Sequence, residues 1–354
     1  MKKLYTTSEY KEWQKRRIQK IDRKLRRKNR VVKKGKKKST STTRHRPVND
    51  VKLPVVAPAD LRLIENLDGC LEFFRDLRSE DYLSQKGIVK FVIMSLKDVT
   101  QIDYGTISVL TSLNDDLRFK RILLKTILPD NPECKKFMID SGYLNNLVDD
   151  HGRPFPKAEK SELIFFEKGT GFLSDEDSKR ISLIVKNVVG HITGTPKYCQ
   201  PVKTIILEIC GNSIEWSGTD NQQWLLGVKY EADRVIFTVT DVGRGILETL
   251  YRKFTKKYFA DALRSSDEIL KRAFDKKYGS TTQEENRNKG LPAVKANFIQ
   301  GKIKALKVLT NNVILHFDDD TQSREFKKGS PRFKGTFYQW EMTNDCLTTI
   351  ISQQ

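Results

Sequence analysis

Cysteine is scarce in this chain of 354 residues, and the five that occur (Cys70, Cys134, Cys199, Cys210 and Cys346) are scattered, with no C-x-x-C pair. An odd, dispersed set argues against a disulfide framework or a zinc module, and a reducing, cytoplasmic compartment is expected. The four histidines (His45, His151, His191 and His316) stand too far apart in sequence to suggest a metal cluster. No apolar run of about 18 residues is present, so no membrane span is expected. The first residues lack the short apolar stretch of a signal peptide. Acidic charge is scarce at one end only. Residues 1–50 hold 20 Lys and Arg against 4 Asp and Glu, whereas the other 304 residues hold 45 against 41.

The formal charge of +20 is therefore mostly a property of a tail on a nearly balanced body. Within the tail, Tyr10, Trp13, Ile18, Ile21 and Leu25 recur close to a helical period, and a lysine run at 33–38 and a Ser/Thr run at 39–43 follow. Such a composition buries too little apolar surface to fold alone, so residues 1–50 are expected to be partly helical or disordered. Their charge suits a solvated tail, a nucleic-acid-binding arm, an anionic lipid surface or an acidic protein face.

The remaining chain predicts about two domains. Residues 51–60, with Pro54 and Pro58, read as a linker. Residues 61–149 alternate helical and strand patterns: helix at 61–78, strand at 88–95, helix at 105–118, strand at 121–127 and helix at 132–141, which suggests a small α/β domain. Residues 150–164 read as a second linker, and 165–345 as a second domain. There the patterns predict helices at 174–189 and 202–216, paired strands at 224–230 and 235–240, a charged insertion from 247 to 288, a helix at 291–299, and strands at 303–309, 313–317 and 337–342. No internal repeat is present.

Three segments of the second domain carry chemistry. Glu208 and Asn212 are four residues apart on a predicted helix and share a face, offering a carboxylate and an amide oxygen to a hydrated divalent ion and a water. An apolar strand delivers Asp241, whose carboxylate suits an exocyclic amine. Gly243, Gly245 and Ile246 follow it, the glycines allowing a sharp turn and a close approach to a flat ring. Asn288, Lys289, Gly290 and Leu291 then lead into a helix whose N-terminus suits phosphate, with Pro292 in its first turn.

In this order, with Lys334, Gly335 and Thr336 opening the last strand, the segments resemble the nucleotide-binding fold of the GHKL superfamily over about residues 165–343. That superfamily takes in gyrase-type topoisomerases, a heat-shock chaperone, mismatch-repair ATPases, histidine kinases and anti-sigma-factor kinases. The resemblance implies a Bergerat-type two-layer α/β sandwich with a mixed sheet. It implies ATP and Mg2+ as cofactors, with Asn212 holding the metal, Glu208 activating water, and Asp241 binding the adenine amine with water-mediated help from Thr336. Gly243, Gly245 and Ile246 would form the first glycine box, Lys289, Gly290 and Leu291 the second, and the stretch between them a lid. Asn288 stands where that second box commonly has glycine, and asparagine tolerates left-handed backbone angles.

Residues 61–149 resemble a STAS domain, the fold of anti-sigma-factor antagonists, on the pattern of residues 92–113. Tyr104 occupies the place where that family carries a phosphorylated Ser or Thr, with Thr106 two residues on. Together the resemblances imply a regulatory ATP-binding protein with slow Mg-dependent hydrolysis, a protein partner, and dimerisation as in many relatives. The alternatives are an anti-sigma-type Ser/Thr kinase, for which Thr106 would be an acceptor in cis, and an ATP-gated regulator that binds nucleic acid through its tail. His191, flanked by Gly190 and Gly194, reads as a cap or surface residue and not a phosphoacceptor. If the tail is a nucleic-acid arm, deleting residues 1–46 weakens binding to a duplex at low salt at least tenfold and flattens its salt dependence. Unchanged affinity in a filter-binding titration removes that role.

Overall fold

A computed structural model describes residues 50–157, 164–170, 173–217, 223–253, 264–275 and 290–353. The tail helix expected around residues 9–27, Asn288 and Lys289 lie outside them. No helix among the described residues is long and apolar enough to cross a membrane. The described residues form a mixed α/β structure with one largely parallel sheet, one antiparallel sheet and a two-stranded parallel pair.

The first sheet is built from β1 (Val55–Val56), β4 (Val89–Ser95), β6 (Ile122–Ile127) and β7 (Val148–Asp149), all parallel, with β3 (Ser84–Lys86) antiparallel to β4. Residues 51–60 are thus not a plain linker: β1 lies on β4, and β2 (Asp60–Leu61) pairs with β5 (Gln101–Ile102). Around the first sheet lie α1 (Leu67–Leu77), α2 (Tyr104–Phe119) and α3 (Pro132–Asp140). The first helix begins at Leu67, six residues later than the pattern predicts. The backbone at 61–63 is already engaged, since Leu61 pairs with β5 and accepts from Thr106 Oγ1 at 2.5 Å, while Leu63 N donates to Asp103 Oδ2 at 3.1 Å. Asp103 also caps α2 by accepting from Thr106 N at 2.7 Å.

The second sheet runs β13 (Arg324–Glu325), β12 (Val313–His316), β11 (Lys304–Asn311), β14 (Phe333–Thr343), β10 (Arg234–Asp241), β9 (Gln223–Tyr230) and β8 (Ile164–Thr170). The mixed sheet implied by the resemblance is not found here, because every pairing is antiparallel. Strands β10 and β11 run the same way and are joined by a helical crossover. They do not touch, because β14 inserts between them and pairs with both. That crossover is the charged insertion expected at 247–288. Its described parts are helices, α6 (Ile246–Lys253) and α7 (Ser266–Phe274), whose buried Leu247, Leu250, Ile269, Leu270 and Phe274 anchor them to the core.

One face of this sheet is covered by α4 (Asp175–Thr193), α5 (Gln200–Ser217), α8 (Gly290–Ile299) and α9 (Asn344–Ser352). Val235, Phe237 and Val239 of β10 alternate toward that face with Tyr338, Trp340 and Met342 of β14, and the cross-strand pair Phe237 and Trp340 stacks at 5.1 Å. The closing helix α9 continues the fold past residue 345, where the second domain was expected to end, and buries Cys346, Leu347 and Ile350.

The opposite face is covered by α2. Residues 104–110 of this helix are buried without a break, so it has no solvent side along its first two turns. One core joins Ile107, Leu110, Leu113 and Leu117 of α2 and the first sheet to Val242, Leu309, Phe333 and Phe337 of the second. Polar side chains fix the helix against β10: Ser108 Oγ lies 2.7 Å from Thr240 Oγ1 and accepts from Thr238 Oγ1 at 3.1 Å. Tyr104 is buried and stacks on Phe166 of β8 at 5.2 Å. The space for its hydroxyl exists because residue 227 is glycine: a Cβ there would lie 2.4 Å from both Tyr104 OH and Thr238 Oγ1. Tyr104→Ala should destabilise the protein by about 3–5 kcal/mol. Tyr104→Phe, which loses only the hydroxyl, should cost about 1 kcal/mol. Urea denaturation measures both, and a wild-type midpoint for Tyr104→Ala would remove α2 docking as a source of stability.

Candidate functional site

Asp241 ends β10 on the face covered by α4 and α5 and is 1% exposed. Its Oδ1 accepts from Gly243 N at 3.0 Å, while Oδ2 has no hydrogen-bond partner among the described residues. Across the strand pair stands Thr336, also buried, whose Oγ1 makes no bond of full hydrogen-bond geometry among the described residues but lies where it draws on the Asp241 carboxyl. Burial pushes the Asp241 carboxyl up to about 7, against the pull of the Gly243 N–H, of Thr336 and of the positive Arg78. The neighbouring Tyr338 hydroxyl has no partner either, and burial raises its pKa.

The loop after Asp241 is tightly fixed. Gly335 has φ of +144°, and a Cβ on it would sit 2.0 Å from the Asp241 carbonyl oxygen. Gly245 has φ of +81° and faces the Asn311 and Thr310 side chains. Those two side chains, at the end of β11, receive the first amides of α6: Ile246 N donates to Thr310 Oγ1 at 2.9 Å and Leu247 N to Asn311 Oδ1 at 3.0 Å. The N–H groups that open α6 are therefore spent on the protein itself, and the Ile246 side chain is buried in the core.

Asn212 and Gly290 form a second group on the same side of the sheet, where α5 packs against α8. Asn212 is buried, with no partner for Nδ2 among the described residues, and a Cβ at position 290 would lie 1.9 Å from its Oδ1. Only glycine permits that approach. Leu291, expected at the cofactor, is packed into the core by its side chain. Glu208 is half-buried one turn before Asn212.

Asp241 also borders a cleft of about 410 Å³ at the end of the sheet. Its walls include Ser112 and Asp115 of α2, Lys168 of β8, Asp177 and Arg180 of α4, and Trp224 of β9. Two of these acids are neutralised: Lys168 lies 3.2 Å from Asp115, and Arg180 pairs with Asp177 and with Glu167. Burial pushes the Asp177 carboxyl up, yet the Ser174 N–H and hydroxyl and the Arg180 guanidinium hold it below the usual range. Asn212, Glu208 and Gly290 are not part of this lining. Nothing in the sequence pattern points to Thr310 and Asn311, whose roles arise from contacts across strands. Elsewhere, Asp149, Asp150 and His151 come together on the surface, where His151 pairs with Asp150 at 2.8 Å and Asp149 with Arg153 at 2.8 Å.

A buried carboxylate facing a buried hydroxyl, neither with a full complement of partners among the described residues, fits a flat ligand that offers an amine and a ring nitrogen. Asn212 fits a metal bound mostly by water and phosphate, to which a protein gives one or two oxygens. The chain matches no family model, no curated protein and no solved structure.

The buried carboxyl sets a pH dependence. Between about pH 4, where Asp241 of the unfolded chain titrates, and about pH 7, the folded chain holds a proton that the unfolded chain has lost. Raising pH through this window therefore costs stability, up to about 4 kcal/mol once above pH 7. Asp241→Asn should gain stability over wild type at pH 8 and much less at pH 5, as read from urea midpoints. An equal difference at both pH values would show that the carboxyl ionises as easily folded as unfolded.

Proposed function

We propose that the chain is an ATP-binding regulatory protein of the GHKL superfamily, with a Bergerat-type second unit, a STAS-like first unit and slow Mg-dependent ATP hydrolysis. The observation that carries the reading is the fully buried Asp241 carboxyl at a strand end, facing Thr336, with the Gly243 N–H its one donor of full hydrogen-bond geometry among the described residues. In this reading the adenine amine donates to Asp241 Oδ2, and the Thr336 hydroxyl reaches a ring nitrogen through a water. Such a pair discriminates strongly, because a ligand lacking the amine leaves a buried acceptor unsatisfied. Asn212 would hold Mg2+, which supplies charge neutralisation on the phosphates. Glu208, on the same helix face, would accept the proton of the water that attacks the terminal phosphate, giving ADP and phosphate. The N-terminus of α8 and Lys289 would lie toward the phosphates.

A kinase acting on its own chain is disfavoured by two observations. Thr106 is buried, with its hydroxyl committed to the Leu61 carbonyl. The His191 ring lies 2.7 Å from the Glu231 carbonyl oxygen and packs on Tyr230, which fits a surface residue at a helix end. The basic residues 1–50 remain the part suited to nucleic acid or to an acidic protein partner. A cytoplasmic setting agrees with five free cysteines.

The test is calorimetric titration of Mg-ATP with phosphate release followed in the same samples. Wild type should bind and release phosphate slowly. Asp241→Asn should lose at least tenfold in affinity, and Glu208→Gln should keep binding while losing turnover. Unaltered binding by Asp241→Asn would sink the adenine pocket. Equal loss of binding and turnover in Glu208→Gln would make Glu208 a structural residue.

A further inference from the structure

Arg78 caps α1 in the first unit, yet its guanidinium ends in the second. Its Nη1 donates to the Lys334 carbonyl at 3.0 Å and its Nη2 to the Val242 carbonyl at 3.0 Å, while Nη2 also lies 3.4 Å from Asp116 Oδ2. The side chain is only 17% exposed. Val242 directly follows Asp241, and Lys334 stands two residues before Thr336. Between these loops Gly335 is in backbone contact with Asp241. A planar guanidinium with five donors fixes the spacing of two acceptors in a way that a lysine ammonium does not.

We propose that Arg78 is a positioning residue for the base pocket: by bridging the Val242 and Lys334 carbonyls it holds the Asp241 and Thr336 loops in register, and so places the pocket under the control of the first unit. The ligand part of this inference rests on the ATP reading; the positioning part does not. Two features of the surroundings support it. Ser108 of α2 grips Thr238 and Thr240, so the first unit holds β10 at residues 238 and 240 and the chain just past it at Val242, on both sides of Asp241. The Arg78 charge also opposes the burial that makes the Asp241 carboxylate costly. The other groups around Asp241 are Tyr338 of β14 and, lining the same cleft, the paired Asp115 with Lys168 and Asp177 with Arg180. Asp116, the acid beside Arg78, is also held by Lys120 at 2.7 Å, so it keeps a partner when Arg78 is changed.

The experiment uses the full chain as wild type, Arg78→Gln and Arg78→Lys, with two readouts. The first is amide hydrogen exchange without nucleotide. In Arg78→Gln, exchange at residues 242–247 and 334–336 should rise at least tenfold while α4 and α7 stay protected as in wild type. The second is Mg-ATP affinity from pH 6 to 9. Binding needs the ionised Asp241, so it falls as pH drops through the carboxyl's titration. In Arg78→Gln affinity should drop at least tenfold at pH 7, and the midpoint of that fall should move to higher pH. Arg78→Lys, which keeps the charge but not the fork, should lose affinity with the midpoint unmoved. Wild-type exchange at both loops in Arg78→Gln overturns the proposal, as does exchange raised uniformly over both cores, which marks a general role in stability. If wild type binds no ATP, the nucleotide reading fails and the exchange data alone decide the role of Arg78.

Discussion

Helix α2 is pressed between two sheets, and that packing sets what the rest of the chain must do. A helix without a solvent side has to satisfy neighbours on both flanks. Its aliphatic residues Ile107, Leu110 and Leu113 belong to a core shared by both sheets. Its small polar residues allow close approach, and Thr106 and Ser108 hand their hydroxyls to Leu61 and Thr240. Its buried aromatic, Tyr104, fills the space above Gly227. Alternation on β10 then assigns the two faces: threonines toward α2, and Val235, Phe237, Val239 and finally Asp241 toward α4 and α5.

The end of β10 is where the fold accepts a cost. An acidic group in the position of a core residue raises the free energy of its own ionised form. The surrounding backbone is nevertheless closed around it by two glycines at positive φ and by side chains from β11 that take up the amides of α6. A closed frame that holds a carboxylate this deeply buried has a cost in stability that the fold does not recover from the described contacts around it.

Much of this was legible in the sequence, and the exceptions share a cause. The apolar runs behind β4, β6, β9 and β10 and the helical periods of α4 and α5 are local signals, and the structure carries those elements within a few residues. The grouping of Asp241 with Gly243 and Gly245 is local in the chain, whereas that of Asp241 with Thr336 is what the family resemblance implies. The features that escaped are long-range. Strand β8 opens the second domain where no strand is expected, helix α9 runs past the expected end at 345, a charged composition hides α6 and α7, and the insertion of β14 between β10 and β11 has no local signature. Arg78 is separated from its two carbonyl partners by 164 and 256 residues, and nothing around it in sequence distinguishes it from any other arginine at the end of a helix.

The burial of α2 also determines how the two units meet other molecules. A helix that docks from a separate protein binds according to the abundance of both partners. Here the docking element is tethered, so its effective concentration at the sheet is of millimolar order, whatever the amount of protein in the cell. An outside protein seeking the same face must outcompete a tenant that never diffuses away. The one-to-one ratio of the two units is thus written into the covalent chain and does not vary with expression level.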